Sequence, residues 1–206
     1  MNTIITVGRE FGSGGRELGY KLAKELGYAY YDKQILSEIV EETKFSKEYV
    51  QEILENKISY MLPTTFSVGM SIGNEYQIQQ MQNIIKAQTE VITNMATKSS
   101  CVIVGRCADY ILKDVENIQL FRIFVYADMD SKMQRCKDRA PEGENFTDKE
   151  LEKHIKSVDK NRSSYYSDFT LQKWGDKSNY DMCINTTNIS IDDIIPHLSK
   201  MFNDCK

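Results

Sequence analysis

The most constraining feature of this sequence is a glycine-rich segment between an apolar run and an amphipathic one. The apolar run, residues 2–7, predicts a buried strand, and Gly12, Gly14 and Gly15 follow it closely. Leucines and alanines then recur at helical spacing. Glycines permit a positive φ and let backbone amides approach an oxyanion, and a helix N-terminus favours negative charge. Residues 7–18 therefore predict a phosphate-binding loop, although a turn that only packs strand against helix is the alternative.

The expected phosphate ligands are the loop residues together with the first residues of the helix: Gly12, Ser13, Gly14, Gly15, Arg16 and Glu17. The standard P-loop pattern G-x-x-x-x-G-K-[ST] is not met. Aligned on the strand, Gly15 stands at the lysine position, and a shifted alignment puts Arg16 there. Arg16 could supply the positive charge, because a guanidinium binds phosphate through two hydrogen bonds.

Strands alternate with helices along the rest of the chain, and the strands are nearly continuous apolar runs. This pattern predicts an α/β fold of three layers, like that of P-loop NTPases, with a five-stranded parallel sheet covered by helices on both faces. The expected strands are 2–7, 28–31, 101–104, 120–126 and 181–185. The expected helices begin near residues 16, 32, 46, 75, 128, 147 and 190, and the helix from 147 is expected to end near residue 165. Tyr165, Tyr166 and Trp174 are expected to be core or lid-packing residues. Residues 59–73 and 141–145 are expected to be irregular, the former also mobile.

Composition narrows the classes of function. The chain has 206 residues and a net charge of −4, which argues against a dedicated nucleic-acid binder. Five cysteines without C-x-x-C pairing and two distant histidines predict reduced thiols and no metal site built from side chains. No apolar run is long enough to span a membrane, and no signal peptide is evident. We therefore expect a cytoplasmic protein without membrane or nucleic-acid partners.

Several segments together resemble the cytidylate kinase-like family of P-loop nucleoside monophosphate kinases. They are residues 9–18, 27–33, 104–106, 159–162 and 174–186, whereas the likeness is weakest over 46–97. The resemblance implies ATP with Mg²⁺ as the donor and a nucleoside monophosphate, cytidylate-like by preference, as the small phosphorylated acceptor. The sequence departs from the family at Cys107, where an aspartate is usual, at Lys33, which replaces a small hydroxyl residue, and at Glu38, where an arginine is expected.

The resemblance also implies roles for particular residues. Arg106 would hold the acceptor phosphate, and its place directly after the third expected strand puts its charge at the carboxyl edge of the sheet, where α/β folds bind ligands. Asp32, Lys33 and Asp159 would lie beside the substrate. Catalytic arginines would be Arg16 in the loop and, on two helices of a closing lid, Arg135, Arg139 and Arg162. One domain of residues 1–206 would comprise a core of 1–45, 98–127 and 178–206, a helical acceptor-side insert of 46–97 and a lid of 128–177.

The residues leave alternatives open. Arg135 and Arg139 could form a solvated helix face, Asp159 and Arg162 an intrahelical pair, and Asp32 an N-cap. The chain could also be a non-catalytic nucleotide-binding module that lost the lysine, or a kinase of a small non-nucleotide metabolite. A homodimer through the long helix of 75–97 is a further option.

Overall fold

A computed structural model describes residues 1–56, 73–141 and 146–204. Its elements follow the order β1 (Asn2–Arg9), α1 (Gly15–Leu26), β2 (Ala29–Tyr31), α2 (Lys33–Thr43), α3 (Lys47–Asn56), α4 (Gly73–Lys98), β3 (Cys101–Val104), α5 (Ala108–Ile111), β4 (Ile118–Tyr126), α6 (Met129–Asp138), α7 (Asp148–Thr170), a short 3₁₀ helix (Lys177–Asn179), β5 (Met182–Asn185) and α8 (Ile191–Asp204). The expectations for 59–73 and 141–145 fall largely outside the described residues, and Gly73 begins α4.

The five strands form one parallel sheet in the order β2-β3-β1-β4-β5. β1 takes the centre because it is the most apolar of the early segments, with Ile4, Ile5 and Val7 fully buried. Its pairing with β4 continues as far as Arg9, opposite Val125, which makes β1 longer than predicted. The carboxyl ends of β1 and β3 consequently meet at one edge of the sheet.

Helices cover both faces of the sheet. Ile5 points to the face packed by α1 and α8, whereas Ile4 points to the face packed by α2, α3, α4, α5 and α7. This alternation along one strand follows from the two-residue period of an extended backbone. The prediction of a three-layer α/β fold with a five-stranded parallel sheet is confirmed.

The helix α7 extends further than predicted. It continues to Thr170 instead of ending near residue 165, because Tyr165 and Tyr166 are buried against the main core and hold its last turns. Leu171, with φ 58°, then ends the helix in a left-handed conformation. Arg162, expected at a helix end, therefore lies inside α7.

The helices of the expected insert share the main core. Ile53 of α3 and Ile84 of α4 are fully buried in the same cluster as Ile35 of α2. The division of the chain into core, insert and lid stays a prediction. Along the described parts of the chain, no helix combines the length and the apolar character that crossing a membrane requires.

Candidate functional site

The glycine loop has a fixed backbone. Gly12 and Gly14 adopt φ of 75° and 82°, conformations that side-chain-bearing residues rarely take. The buried Ser13 hydroxyl donates to the Glu10 carbonyl at 2.8 Å, and the Thr186 hydroxyl donates to the Ser13 carbonyl at 2.7 Å. Because α1 begins directly after the loop, its unpaired N–H groups face any anion that the loop holds.

Other elements press on the loop from outside. A Cβ at Gly12 would lie 2.9 Å from the backbone oxygen of Lys132, on α6. A Cβ at Gly14 would collide with the side chain of Ile191, at the start of α8. The glycines are therefore required by packing as well as by backbone conformation.

A buried ion cluster ties the loop to α6 and α7. Lys132 Nζ lies 2.7 Å from Glu10 Oε2 and 2.9 Å from Asp159 Oδ2, and the lysine side chain is 7% exposed. The other oxygen of Asp159 accepts from the Phe11 N–H at 2.6 Å. Burial by itself would lower the pKa of Lys132, but the hydrogen bonds to the two carboxylates raise it. Asp159, predicted to lie beside the substrate, has both oxygens engaged at the loop.

A cavity of about 250 Å³ lies at the edge where β1 and β3 end, between α3 and α7. Ligands of open α/β folds bind at this carboxyl edge. Its lining is formed by Gly8, Arg9, Leu54, Glu55, Gly105, Arg106, Cys107, Asp109, Val158, Asn161, Arg162, Tyr165, Tyr166, Trp174 and Tyr180.

Three arginines converge on this cavity. Arg106 pairs with Glu55 at 3.1 Å, and Arg162 donates to the Arg9 carbonyl at 3.2 Å. Arg9, whose side chain is 20% exposed, has Asp32 at 4.0 Å. Burial, then the positive charge of Arg162, lowers the pKa of Arg9, and burial also lowers that of Arg162. A bound anion would relieve this mutual repulsion.

The segment that presents Arg106 has an unusual backbone. Gly105, Arg106 and Cys107 have φ of 75°, 57° and 53°, which makes three consecutive left-handed residues. Left-handed conformations at residues other than glycine cost about 1–3 kcal/mol each and cluster at functional sites. Directly after β3, this turn aims the Arg106 side chain into the cavity instead of continuing the strand.

One wall of the cavity carries a buried carboxylate. Asp109 is 6% exposed, and the Tyr166 hydroxyl donates to its Oδ2 at 2.7 Å. Burial raises the pKa of Asp109, although the hydrogen bond from Tyr166 opposes this. Tyr165 and Trp174 were expected to be core or packing residues, and they line the cavity while packing with the core.

The remaining predicted residues of the loop and acceptor side lie around a second, open groove. It is lined by Arg16, Glu17, Tyr20, Tyr30, Asp32, Lys33, Gln34 and Arg139. Arg16 pairs with Asp32 at 2.5 Å, and Arg139 pairs with Glu17. Asp32 precedes α2, but its side chain does not cap that helix. Asp32 is therefore the N-cap residue of α2 by position only, because its carboxylate faces the arginines instead.

Arg135 and Arg139 lie four residues apart but make different contacts. Arg135 is partly buried behind the loop and donates to the Thr186 carbonyl, while its Nη1 has no hydrogen-bond partner among the described residues. Arg139 is half exposed on the groove side. The interpretation of a solvated helix face therefore fails for Arg135, whereas the exposure of Arg139 agrees with it.

The structure thus brings Arg106 and Arg162 together and places Arg16, Asp32, Lys33 and Arg139 on the other side of the loop. Sequence reasoning missed Arg9, Lys132 and Asp109. A signal existed for Arg9, because a charge directly after a buried strand was the reason for selecting Arg106. Lys132 carries no such signal, because a lysine on a polar helix is ordinary.

Metal ligands are not grouped in the described part of the chain. There, no cluster of three or more His, Cys, Asp or Glu side chains could hold an ion. A Mg²⁺ ion bound mainly by phosphate oxygens and water needs only one or two carboxylates. Acidic side chains near the loop would fit the supply of those one or two carboxylates. Among the described residues, no group of side chains forms a metal site by itself.

A parallel five-stranded sheet, a glycine loop after its central strand and an anion cavity beside that loop define a P-loop kinase-like fold. Residues 4–188 match the model of the cytidylate kinase-like family, and the chain belongs to that family. Family and fold together support phosphoryl transfer as the general class of reaction. No curated protein sequence matches the chain.

Solved structures share this fold. A protein of Eubacterium ventriosum ATCC 27560, described as uncharacterized, is 29% identical over 98% of this chain and 99% of its own, with a TM-score of 0.69. Shikimate kinase from Bacteroides thetaiotaomicron is 13% identical over 98% of each chain, with a TM-score of 0.50. A sugar kinase from Janibacter sp. HTCC2649 is 9% identical over 98% of this chain and 95% of its own, with a TM-score of 0.51. The last two show the shared fold.

Proposed function

We propose that this protein transfers the γ-phosphoryl group of ATP to a small phosphorylated acceptor, a nucleoside monophosphate with a cytidylate-like one preferred. The observation that carries the proposal is the convergence of Arg9, Arg106 and Arg162 on one cavity beside the glycine loop. Arg106 has Glu55 at 3.1 Å, Arg9 has Asp32 at 4.0 Å, and Arg162 donates to a backbone carbonyl, so these guanidiniums retain donors for a bound phosphate.

The reaction needs positioning and charge neutralisation more than covalent help from the protein. Loop amides and the N-terminus of α1 hold the donor phosphates, and the arginines hold the acceptor phosphate. An acceptor phosphate oxygen forms a bond to the γ-phosphorus while the bond from that phosphorus to the β–γ bridging oxygen breaks. The electron pair leaves with ADP. A phosphate oxygen is already deprotonated, so this acceptor requires no general base.

Mg²⁺ would supply charge neutralisation on the donor phosphates, held mainly by those phosphates and water. Arg16, Arg135 and Arg139 are further sources of positive charge around the loop. Arg135 has a buried Nη1 without a described partner beside Gly14, which suits an additional phosphate contact. Arg139 would reach the donor only after leaving Glu17.

The cavity also indicates what else the acceptor carries. Asp109 offers a carboxylate that accepts hydrogen bonds, and aromatic side chains surround it. An exocyclic amino group or a sugar hydroxyl would complement this carboxylate, and a flat ring would pack on Trp174 or Tyr165. A nucleoside monophosphate combines all three features.

The second candidate function is the phosphorylation of a small non-nucleotide metabolite. The cavity volume of about 250 Å³ favours it, because ligand pockets usually span roughly 300–1,000 Å³. An anionic hydroxy compound would place its anionic group on the arginines and its hydroxyl on Asp109. In that case the hydroxyl oxygen would attack the γ-phosphorus, and Asp109 would accept the proton.

A coupled assay of ADP release tests both candidates. The purified protein is given ATP, Mg²⁺ and, one at a time, nucleoside monophosphates and small anionic hydroxy compounds. We expect turnover with at least one monophosphate and loss of that turnover in Arg106→Ala but not in Arg122→Ala. Turnover with hydroxy compounds alone would favour the second candidate. ATP binding by calorimetry without turnover on any acceptor would favour the non-catalytic module.

A further inference from the structure

The position that holds lysine in ordinary P-loops has no room for a side chain here. Gly15 takes that position when the loop is aligned on the strand. A Cβ at Gly15 would lie 2.5 Å from the Cβ of Arg9 and 3.2 Å from its Cγ. Carbon atoms do not approach so closely, so the Arg9 side chain occupies the volume that the first atoms of a lysine would need.

The far end of Arg9 is accommodated by a second glycine. A Cβ at Gly105 would collide with the Arg9 guanidinium, which lies directly over that residue. Gly15 at the start of α1 and Gly105 after β3 thus form the two sides of a passage for one side chain. Arg9 runs through this passage from the loop to the cavity that we assign to the acceptor.

Electrostatics agree with this path. The Arg9 guanidinium is largely buried, and its carboxylate partner Asp32 lies no closer than 4.0 Å. Arg106 and Arg162 add two further positive charges that oppose the charge of Arg9. A buried guanidinium with such partners is poorly compensated until an anion enters, and its planar donors can bind two phosphate oxygens at once.

Two other cations beside the loop are already compensated. Lys132 is enclosed between Glu10 and Asp159 at 2.7 and 2.9 Å, so two carboxylates neutralise it. Arg16, the nearest cation in the sequence, has a side chain that is 54% exposed and pairs with Asp32 at 2.5 Å in the open groove. Neither of these cations extends from the loop into the cavity.

We propose that Arg9 replaces the missing P-loop lysine and, from the other side of the loop, supplies the cation between the donor γ-phosphate and the acceptor phosphate. This inference rests on the proposed phosphoryl transfer. Arg9 donates hydrogen bonds and carries charge throughout the step, and it neither gains nor loses a proton.

A charge-relocation experiment tests the proposal. Arg9→Ala removes the cation but keeps the Cβ that crowds Gly15, whereas Arg9→Gly removes both. Gly15→Lys in the Arg9→Gly background then restores a lysine at the ordinary position, with Val125 Cβ at 3.1 Å as the remaining close neighbour. Gly15 is not in the left-handed region, so its backbone conformation permits a side chain. The matched control is Arg9→Gly with Gly15→Ala, which adds a side chain without charge. Arg122→Ala serves as the control for loss of an arginine elsewhere.

We expect Arg9→Ala to lower kcat by about 100-fold or more, as removal of a transition-state charge does. The Arg9→Gly/Gly15→Lys variant should recover at least about tenfold of that loss relative to Arg9→Gly, whereas Arg9→Gly/Gly15→Ala should recover none. Gly15→Lys alone should be less active than the double variant, because Arg9 still fills the space. A kcat within about threefold of wild type for Arg9→Ala, or equal recovery by alanine and lysine, overturns the inference.

A binding measurement separates this inference from the proposed function. Calorimetry with Mg²⁺ and ATP is run on wild type, Arg9→Ala and Arg9→Lys, each checked for folding by circular dichroism. If the wild type turns over no acceptor, the proposed reaction fails. The proposed role of Arg9 as a cation still predicts that Arg9→Ala weakens ATP binding at least about tenfold and that Arg9→Lys weakens it less. Unchanged ATP affinity in Arg9→Ala, or no ATP binding by the wild type, overturns the inference.

Discussion

The carboxylate of Asp159, on α7, accepts a hydrogen bond from the backbone N–H of Phe11 at 2.6 Å, while its second oxygen lies 2.9 Å from Lys132 Nζ. The two residues of this hydrogen bond are 148 positions apart in the chain. One side chain thereby connects the phosphate loop with both helices of the expected lid.

Asp159→Asn should destabilise the protein because it weakens the contacts to both Phe11 and Lys132. Hydrogen bonds to charged groups contribute about 1.5–3 kcal/mol, and Glu10 still compensates the lysine, so we expect a loss of about 2 kcal/mol. Urea unfolding measures the change. Asp148→Asn, which affects only an exposed pair with Lys137, should change the free energy of unfolding by less than about 0.5 kcal/mol. Equal effects of the two variants would contradict the assignment.

Arg106→Ala should raise the KM for the acceptor and leave the KM for ATP nearly unchanged. Loss of a charged phosphate contact worth about 1.5–3 kcal/mol corresponds to roughly a 10- to 150-fold increase. Arg106→Lys should retain part of the affinity, because it keeps the charge without the planar donors. Steady-state kinetics with each substrate varied in turn provide the test. An equal rise in both KM values would contradict a role on the acceptor side.

Gly14→Ala should lower the affinity for ATP at least about tenfold, because the added methyl group enters the loop and the Ile191 side chain must move to relieve the contact. Gly27→Ala is the matched control, because Gly27 also has a positive φ of 68° but a Cβ there meets nothing within 4 Å. Both variants should lose about 1–2 kcal/mol of stability through the left-handed backbone. Calorimetry and urea unfolding separate the shared backbone cost from the loop-specific effect. Equal ATP affinities in the two variants would be evidence against the packing argument.

Asp109→Asn should alter how stability depends on pH. Burial raises the pKa of Asp109 above its value in the unfolded chain, so the charged carboxylate destabilises the folded state at pH values above that unfolded value. The stability of Asp109→Asn relative to wild type should therefore increase as pH rises from about 4 and level off beyond the folded-state pKa. Urea unfolding across this range measures the difference. The exposed Asp114→Asn is the control, and a difference independent of pH would count against the prediction.

The sequence by itself determined the layout of the fold. The alternation of apolar runs with amphipathic segments predicted five parallel strands and a phosphate loop after the first, and all of these are present. Such features depend on residues close together in the chain, because strand and helix periodicity and glycine conformation are local properties. Arg106 was found in the same way, from a charge directly after a buried strand.

Only the tertiary structure decided which cations act together. The passage for Arg9 is formed by Gly15 and Gly105, and Lys132 owes its burial to Glu10 and Asp159. The ion pair between Glu10 and Lys132 joins residues that are 122 positions apart in the chain. The order of the strands in the sheet sets how far apart in space such segments lie. A local pattern carries no information on such separations. The sequence therefore predicted a loop without its lysine, and the packing of β1, α1 and β3 placed an arginine in the volume that the lysine would have filled.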